Sequence, residues 1–203
     1  MKDMDYLNVN HPFVRSIVEN NVKSDAMSFN IKYKGYNENV KGFLFYYRFE
    51  LTNNEGFVKR KLVPIFLNED GVYDSKISNW FKNIKEFNFE MRNEHVTDNF
   101  EDLLLFVNKI RDNEMNEFKL ETEIKLLEQI NHDKEKFEKY FKDKKYAINK
   151  IAIDNIRLSQ LQDLRDLRQE EFDKFARKKN IVPKYELFII AKVELYNDSE
   201  KLI

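Results

Sequence analysis

The chain has 203 residues, and its 35 lysines and arginines nearly balance its 36 aspartates and glutamates. The resulting net charge of −1 gives no attraction of the whole molecule to nucleic acid or to an anionic membrane, although it does not exclude a local basic patch. Without cysteine, the chain cannot form disulfides, thiolate metal sites or a cysteine nucleophile. Its 14% content of aromatic residues argues against disorder, because large apolar rings can be buried in a core.

The apolar runs of the sequence are short. The longest, at residues 43–47 and 187–191, are far below the roughly 20 residues that span a bilayer. No apolar signal core follows the first five residues. We therefore expect a soluble, cytoplasmic protein that has no membrane partner.

The first part of the chain has the pattern of a helix followed by an antiparallel meander. Asn10 or His11 can cap the helix, and Pro12 suits its first turn, where a missing N–H costs nothing. Beyond it, the alternation of apolar and polar residues predicts strands bounded by polar, glycine-containing turns. These strands are residues 28–33, 41–51 and 57–67.

Three further features complete this part as a small body. Pro64 lies within the third strand, which places that strand at a sheet edge or at a bulge. Ser75 or Ser78 can cap a short helix with an apolar face. Residues 185–195 predict one last strand, after Pro183. Together these segments predict a small, mostly antiparallel sheet flanked by helices.

A long helical region lies between the meander and the last strand. From Val72 to Val182 there is no glycine and no proline, which predicts continuous helix. Thr97 and Asp98 can cap its first helix. Farther along, apolar residues recur every seven positions with charges between them, as in a two-stranded coiled coil. The predicted seam residues are Leu120, Ile124, Leu127, Phe137 and Phe141 in the first arm and Ile156, Leu161, Leu164, Phe172 and Phe175 in the second.

The polar pairs Asn149-Lys150 and Asp154-Asn155 mark the expected tip between the two arms. Two arms of roughly 30 residues, at about 1.5 Å per residue, would each extend about 45 Å. The sequence thus predicts an α+β protein with an inserted antiparallel coiled-coil hairpin. In this division, residues 1–98 and 182–203 form the α+β body and residues 99–181 form the hairpin insertion.

Catalytic and cofactor-binding patterns are not found in the sequence. The 4 glycines are scattered singly, so there is no phosphate-binding or dinucleotide-binding loop. His11, His95 and His132 do not have the spacing of metal ligands. A Ser-His-Asp arrangement is not excluded, but no Gly-x-Ser-x-Gly motif supports one. We therefore expect no catalytic residue, no metal and no cofactor, and we expect a protein that is not an enzyme; an enzyme with a site at the sheet edge is the third alternative.

Two basic clusters are the candidate contacts for nucleic acid or another partner. The first lies in a predicted strand, where its cations deter edge-to-edge aggregation if they do not contact phosphate. The second lies at a predicted helix C-terminus, where cations also complement the helix dipole. The clusters are Lys59, Arg60 and Lys61, and Arg177, Lys178 and Lys179.

The aromatic strand has two interpretations. Tyr46, Tyr47 and Phe49 could stack nucleic-acid bases. However, residues 43–49 are largely apolar on both faces, which is typical of a central, covered strand. Core packing is therefore the favoured interpretation.

The order of these parts resembles the C-terminal region of bacterial SWI/SNF-type helicases, the RNA polymerase-associated RapA family. The resemblance covers most of the chain, but its motifs are common ones, and neither motor lobe of that family is present. It therefore implies no catalytic residues. The similar stretches are His11-Pro12-Phe13-Val14 and residues 137–141, 164–177 and 183–187.

The resemblance implies a function without chemistry. Such a chain would be an accessory domain of an ATP-dependent helicase that contacts RNA polymerase, nucleic acid or the motor lobes. The alternative is a free-standing coiled-coil scaffold that forms a homodimer through its arm.

Overall fold

The structure is a computed structural model that describes residues 27–83, 90–92 and 101–197. The predicted helix after His11, the predicted cap at Thr97 and Asp98, and His95 lie outside the described residues.

The described residues form five strands and three helices. Each predicted strand is present, with its ends displaced by a few residues. The predicted α+β class is therefore confirmed. The elements are β1 (Met27–Lys34), β2 (Val40–Thr52), β3 (Val58–Asn68), α1 (Ser75–Asn83), β4 (Glu90–Arg92), α2 (Glu101–Asn149), α3 (Asp154–Lys178) and β5 (Val182–Tyr196).

The five strands form one mixed sheet in the order β3-β2-β5-β1-β4. Strands β2 and β3 are joined by only a few residues, which permits antiparallel pairing alone. Strand β1 pairs antiparallel with β4 but parallel with β5, with Met27 opposite Ile189 and Lys34 opposite Tyr196. The predicted meander is thus interrupted, because the end of the chain inserts between β2 and β1.

The aromatic strand β2 is the centre of the core. Tyr46, Tyr47 and Phe49 are 1%, 2% and 0% exposed, so the core interpretation is confirmed and they offer no stacking platform. The Tyr46 hydroxyl donates a hydrogen bond to the Phe81 carbonyl at 3.0 Å, which links β2 to α1. Pro64 lies in β3 at the sheet edge, as predicted.

Helix α1 begins differently from the prediction. Its N-cap is Asp74, whose Oδ1 accepts hydrogen bonds from the backbone N–H groups of Lys76 and Ile77 at 2.8 and 3.0 Å. The predicted caps Ser75 and Ser78 are wrong. Ser78 instead accepts a hydrogen bond from the backbone N–H of Phe66 at 2.9 Å, which ties α1 to β3.

The chain divides into two compact units. Among the described residues, the sheet unit comprises residues 27–50, 59–83, 90–92, 101–116 and 184–197, and the hairpin unit comprises residues 51–58 and 117–183. Helix α2 is shared between the two, as are β2 and β3. The division predicted from the sequence, with its first boundary between residues 98 and 99, stays a prediction.

The two long helices are unequal, contrary to the prediction of two arms of similar length. Helix α2 has 49 residues and α3 has 25. At about 1.5 Å per residue, they extend roughly 73 and 37 Å. The absence of glycine and proline predicts helix but does not predict the residue at which each helix begins or ends.

No helix in the described ranges has an apolar stretch long enough to cross a membrane.

Candidate functional site

Helices α2 and α3 contact each other through a cluster of aromatic rings. The ring centre of Phe137 lies 6.4 Å from the ring centres of both Phe172 and Phe175. The next residue of α2, Glu138, accepts a hydrogen bond from Nη2 of Arg168 at 2.8 Å. Because the partner numbers fall as the α2 numbers rise, the two helices run in opposite directions here.

The predicted seam residues of α2 fall into two groups, of which only one contacts α3. Phe137 and Phe141 both contact α3 residues. Leu120, Ile124 and Leu127, however, are 60%, 51% and 40% exposed, and we call these three residues the exposed stripe. The buried side chains of this part of α2 lie on another face and are Phe118, Thr122, Leu126 and Ile130.

The reason for this error is that α2 has two apolar faces between residues 117 and 130. Each face repeats at helical spacing, so the sequence alone does not distinguish the one that is buried. Thr122 makes the buried face harder to recognise in the sequence, because this polar residue interrupts the apolar pattern of that face. Its hydroxyl donates a hydrogen bond to the Phe118 carbonyl at 2.7 Å, which satisfies it when buried.

The flank of the α2–α3 pair carries two open depressions, which we call the basic groove. They have volumes of about 480 and 600 Å³ and share Phe172 in their linings. Six cations and only two carboxylates line them. The lining residues are Lys134, Glu135, Glu138, Lys139 and Lys142 in the first depression, Phe141, Lys145, Arg165, Arg168 and Gln169 in the second, and Phe172 in both.

Arg168, which lines the second depression of the basic groove, is held in place by its neighbours. Its guanidinium carbon lies 5.1 Å from the ring centre of Phe141 and 4.9 Å from that of Phe172. The hydrogen bond to Glu138 sets its orientation. Cation–π contacts and a charge-assisted hydrogen bond therefore position this arginine before any ligand binds.

Most other cations of the basic groove have no such partner. Lys139, Lys142, Lys145 and Arg165 are exposed, and none is paired with a carboxylate in the part of the chain that the structure describes. Their charges are therefore available to an anionic ligand.

The turn at the end of the hairpin adds exposed tyrosines next to lysines. Tyr146 is 66% exposed, and the Nζ of Lys150 lies 4.2 Å from its ring centre. Tyr140 is also exposed, and the Nζ of Lys144 lies 5.7 Å from its ring centre. Arg157 fixes the turn, since it donates a hydrogen bond to the carbonyl of residue 151 at 2.9 Å.

The first predicted basic cluster is associated with carboxylates. Nε of Arg60 lies 2.5 Å from Oε2 of Glu50, and Nζ of Lys61 lies 3.6 Å from Oε2 of Glu114. Lys59 is half-buried. The partner of Lys61 lies in α2 and that of Arg60 lies in the neighbouring strand β2. These ion pairs favour a structural role, and a phosphate contact at this cluster stays a prediction.

The second predicted basic cluster lies at the C-terminus of α3, in the hairpin unit. Arg177 pairs with Glu55 of the β2–β3 turn, and this hydrogen bond raises the pKa of its guanidinium. The carbonyl of Lys178 accepts a hydrogen bond from the Asn53 side chain at 2.8 Å. Lys179 is exposed and caps the helix. This cluster therefore secures the turn to the helix end, and its phosphate role is likewise untested.

Within the described ranges, no group of three or more histidines, aspartates and glutamates is arranged to hold a metal ion. His132 is exposed on α2.

Comparison with protein-family models, with curated proteins and with solved structures finds no match for this chain.

The basic groove is absent from the sequence-based candidates for an identifiable reason. Its cations are spread over two helices and alternate with acids, which is the usual pattern of a solvated helix flank. One signal was available: residues 139–168 contain eight lysines and arginines against four aspartates, although the whole chain has a net charge of −1. A local charge count would have singled out this segment.

Proposed function

We propose that this chain is a non-catalytic accessory module that binds single-stranded nucleic acid through the basic groove. The observation that carries this proposal is the set of exposed, unpaired cations beside aromatic rings on one flank of α2 and α3. Proteins that bind single strands combine such a positive groove with aromatic side chains on which bases stack. The rings that line the groove are Phe141 and Phe172, and Tyr140 and Tyr146 are further, exposed rings of α2.

The biological setting that we propose is a helicase of the SWI/SNF type in the cytoplasm. The support is the order of parts: an α+β body, a long helical hairpin and a closing strand, in the order that the sequence resemblance implies. We further propose that α2 and α3 form an antiparallel coiled coil, which the Phe137 contacts and the Glu138–Arg168 pair support. RNA polymerase and the motor lobes are the other partners that this setting implies.

A titration of the full chain with a fluorescent single-stranded oligonucleotide tests the binding proposal. The readout is anisotropy at several salt concentrations. We expect the paired change Lys145→Ala and Arg165→Ala to weaken binding. The slope of the logarithm of the binding constant against the logarithm of the salt concentration should also decrease in magnitude by about 1.4, because each single-strand phosphate contact contributes about 0.7.

The matched control is Lys59→Ala with Lys61→Ala, which removes the same charge from β3. Unchanged binding in the control, with a loss in the groove variant, supports the groove. The reverse result would transfer the site to the first predicted cluster. Equal competition by polyglutamate would show that any polyanion binds, and would favour an acidic protein surface as the partner.

The alternative function is a coiled-coil scaffold that dimerises through the hairpin, and the exposed stripe is the observation that favours it. Its charges oppose a second copy, however. With Leu120 and Leu127 at heptad position d, Glu121 and Glu128 occupy position e and Glu123 occupies position g. Glutamate then faces glutamate in both the parallel and the antiparallel arrangement. Sedimentation of the chain at several concentrations distinguishes the two functions.

A further inference from the structure

The exposed stripe has different charges along its two sides. On one side lie Glu117, Glu121 and Glu128, since positions four and seven apart share a helix face. All three are exposed, and among the residues that the structure describes none is paired with a cation. On the other side, Lys119 and Glu123 lie 3.7 Å apart and offset each other. The stripe is therefore an apolar strip with one acidic edge.

We propose that the exposed stripe and its glutamate edge dock a basic amphipathic helix of another protein. Apolar residues at positions i, i+4 and i+7 present the surface that one helix offers to another. The glutamates then select lysine or arginine along one side of the incoming helix, because opposite charges attract and like charges repel across such a contact. The partner is thus defined by an apolar face and a basic flank.

Charge also excludes the other occupants. Nucleic acid is repelled by the glutamate edge, and a second copy of this chain would place glutamate against glutamate. The surface is separate from the basic groove, since the stripe ends at Leu127 and the groove begins at Lys134. The inference therefore does not depend on nucleic-acid binding.

Three synthetic helical peptides test this proposal with the full chain. The first has leucines at stripe spacing with lysine and arginine flanks, the second has glutamate in place of those cations, and the third has the first composition in scrambled order. Binding is measured by fluorescence anisotropy. We expect the basic peptide to bind at least about tenfold more tightly than either of the other two.

Variants of the chain locate the binding. The double substitution Leu120→Ser with Ile124→Ser should weaken binding of the basic peptide at least about tenfold. The double substitution Glu117→Gln with Glu121→Gln should make binding of the basic peptide less dependent on salt concentration. The matched control is Leu158→Ser, which changes an equally exposed leucine of α3 and should leave binding unchanged. Thermal unfolding by circular dichroism checks that each variant is folded.

Any one of four binding results would overturn the proposal. They are equal binding of the basic and glutamate peptides, equal binding of the scrambled peptide, no binding of the basic peptide at about 100 μM, and an equal loss in Leu158→Ser. A dimer in sedimentation that Leu120→Ser with Ile124→Ser abolishes would also overturn it, since the stripe would then hold a second copy.

Discussion

Strands β2 and β3 of the sheet unit and the helices of the hairpin unit use their apolar residues in different ways. In the sheet unit, the large side chains of β2 and β3 are almost completely buried, as Phe45, Phe49 and Phe66 show. In the hairpin unit, leucine, isoleucine and tyrosine side chains lie at the surface beside charged groups. The comparison teaches that the apolar residues of β2 and β3 stabilise the fold, whereas several of those in the hairpin unit remain accessible to solvent.

The largest expected effect of a single substitution is in the core of the sheet unit. Phe66 is fully buried and stacks on Phe81 with ring centres 6.4 Å apart. Phe66→Ala should lower the free energy of unfolding by about 3–5 kcal/mol in urea denaturation, because it removes buried surface and leaves a cavity. Tyr146→Ala, the matched aromatic change in the hairpin, should alter it by less than about 0.5 kcal/mol. Similar losses for the two variants would contradict the comparison.

The next effect concerns the close approach of backbone segments at Gly42. A Cβ atom there would lie 2.1 Å from the carbonyl oxygen of Leu67, a backbone atom that cannot move aside freely. Gly42→Ala should therefore destabilise the protein by about 1–3 kcal/mol or more. Gly56 is the control in the hairpin unit, with open space around it and a φ of 82°. Gly56→Ala should cost only about 1–2 kcal/mol of backbone strain, and a smaller loss at Gly42 than at Gly56 would refute the steric account.

A single asparagine organises the β2–β3 turn within the hairpin unit. Oδ1 of Asn53 accepts hydrogen bonds from the backbone N–H groups of Glu55 and Phe57 at 2.9 and 3.0 Å, while its amide donates to the carbonyl of Lys178. Asn53→Ala should cost about 1–2 kcal/mol in the same denaturation experiment. Asn53→Asp keeps the acceptor but loses the donor, and it places a negative charge at a helix C-terminus. If Asn53→Asp were as stable as the wild type, the bond to Lys178 would contribute nothing.

The smallest effect at neutral pH is at Tyr46, and it grows in alkali. Burial raises the pKa of the Tyr46 hydroxyl above its ordinary value. An unfolded chain ionises this group near pH 10, so its contribution to stability is complete below that pH and is lost as the pH rises above it. Tyr46→Phe should cost about 1 kcal/mol at pH 7, through the lost hydrogen bond to Phe81. Its stability should then fall less steeply than that of the wild type between about pH 10 and 11, and parallel curves would contradict the assignment.

Local patterns in the sequence predict most elements of the fold, but they miss strand β4, which lies in the stretch predicted to be helical, and they do not give the long-range pairing. The alternation of residues 41–51 and the proline at position 64 identified a covered strand and an edge strand, because both depend on neighbouring residues. The insertion of β5 between β2 and β1 joins segments more than 130 residues apart, and no local pattern encodes it. Predicting that neighbour requires knowledge of the whole sheet.

The candidate site was harder to predict for a different reason. Charged clusters that are contiguous in sequence, such as residues 59–61, attract attention but are partly neutralised in the structure by Glu50 and Glu114. The cations of the basic groove come from two helices, and only their antiparallel contact brings them together. Burial also depends on residues distant in sequence, which is why the sequence predicts a seam at the exposed stripe.

The most direct test of the account is chemical-shift mapping of the full chain by NMR as a single-stranded oligonucleotide is added. The account predicts that backbone amide shifts concentrate in residues 134–172, around the basic groove, and that residues 59–61 and the exposed stripe are unaffected. Shifts concentrated at residues 59–61, or no shifts at oligonucleotide concentrations that saturate the anisotropy signal, would contradict it.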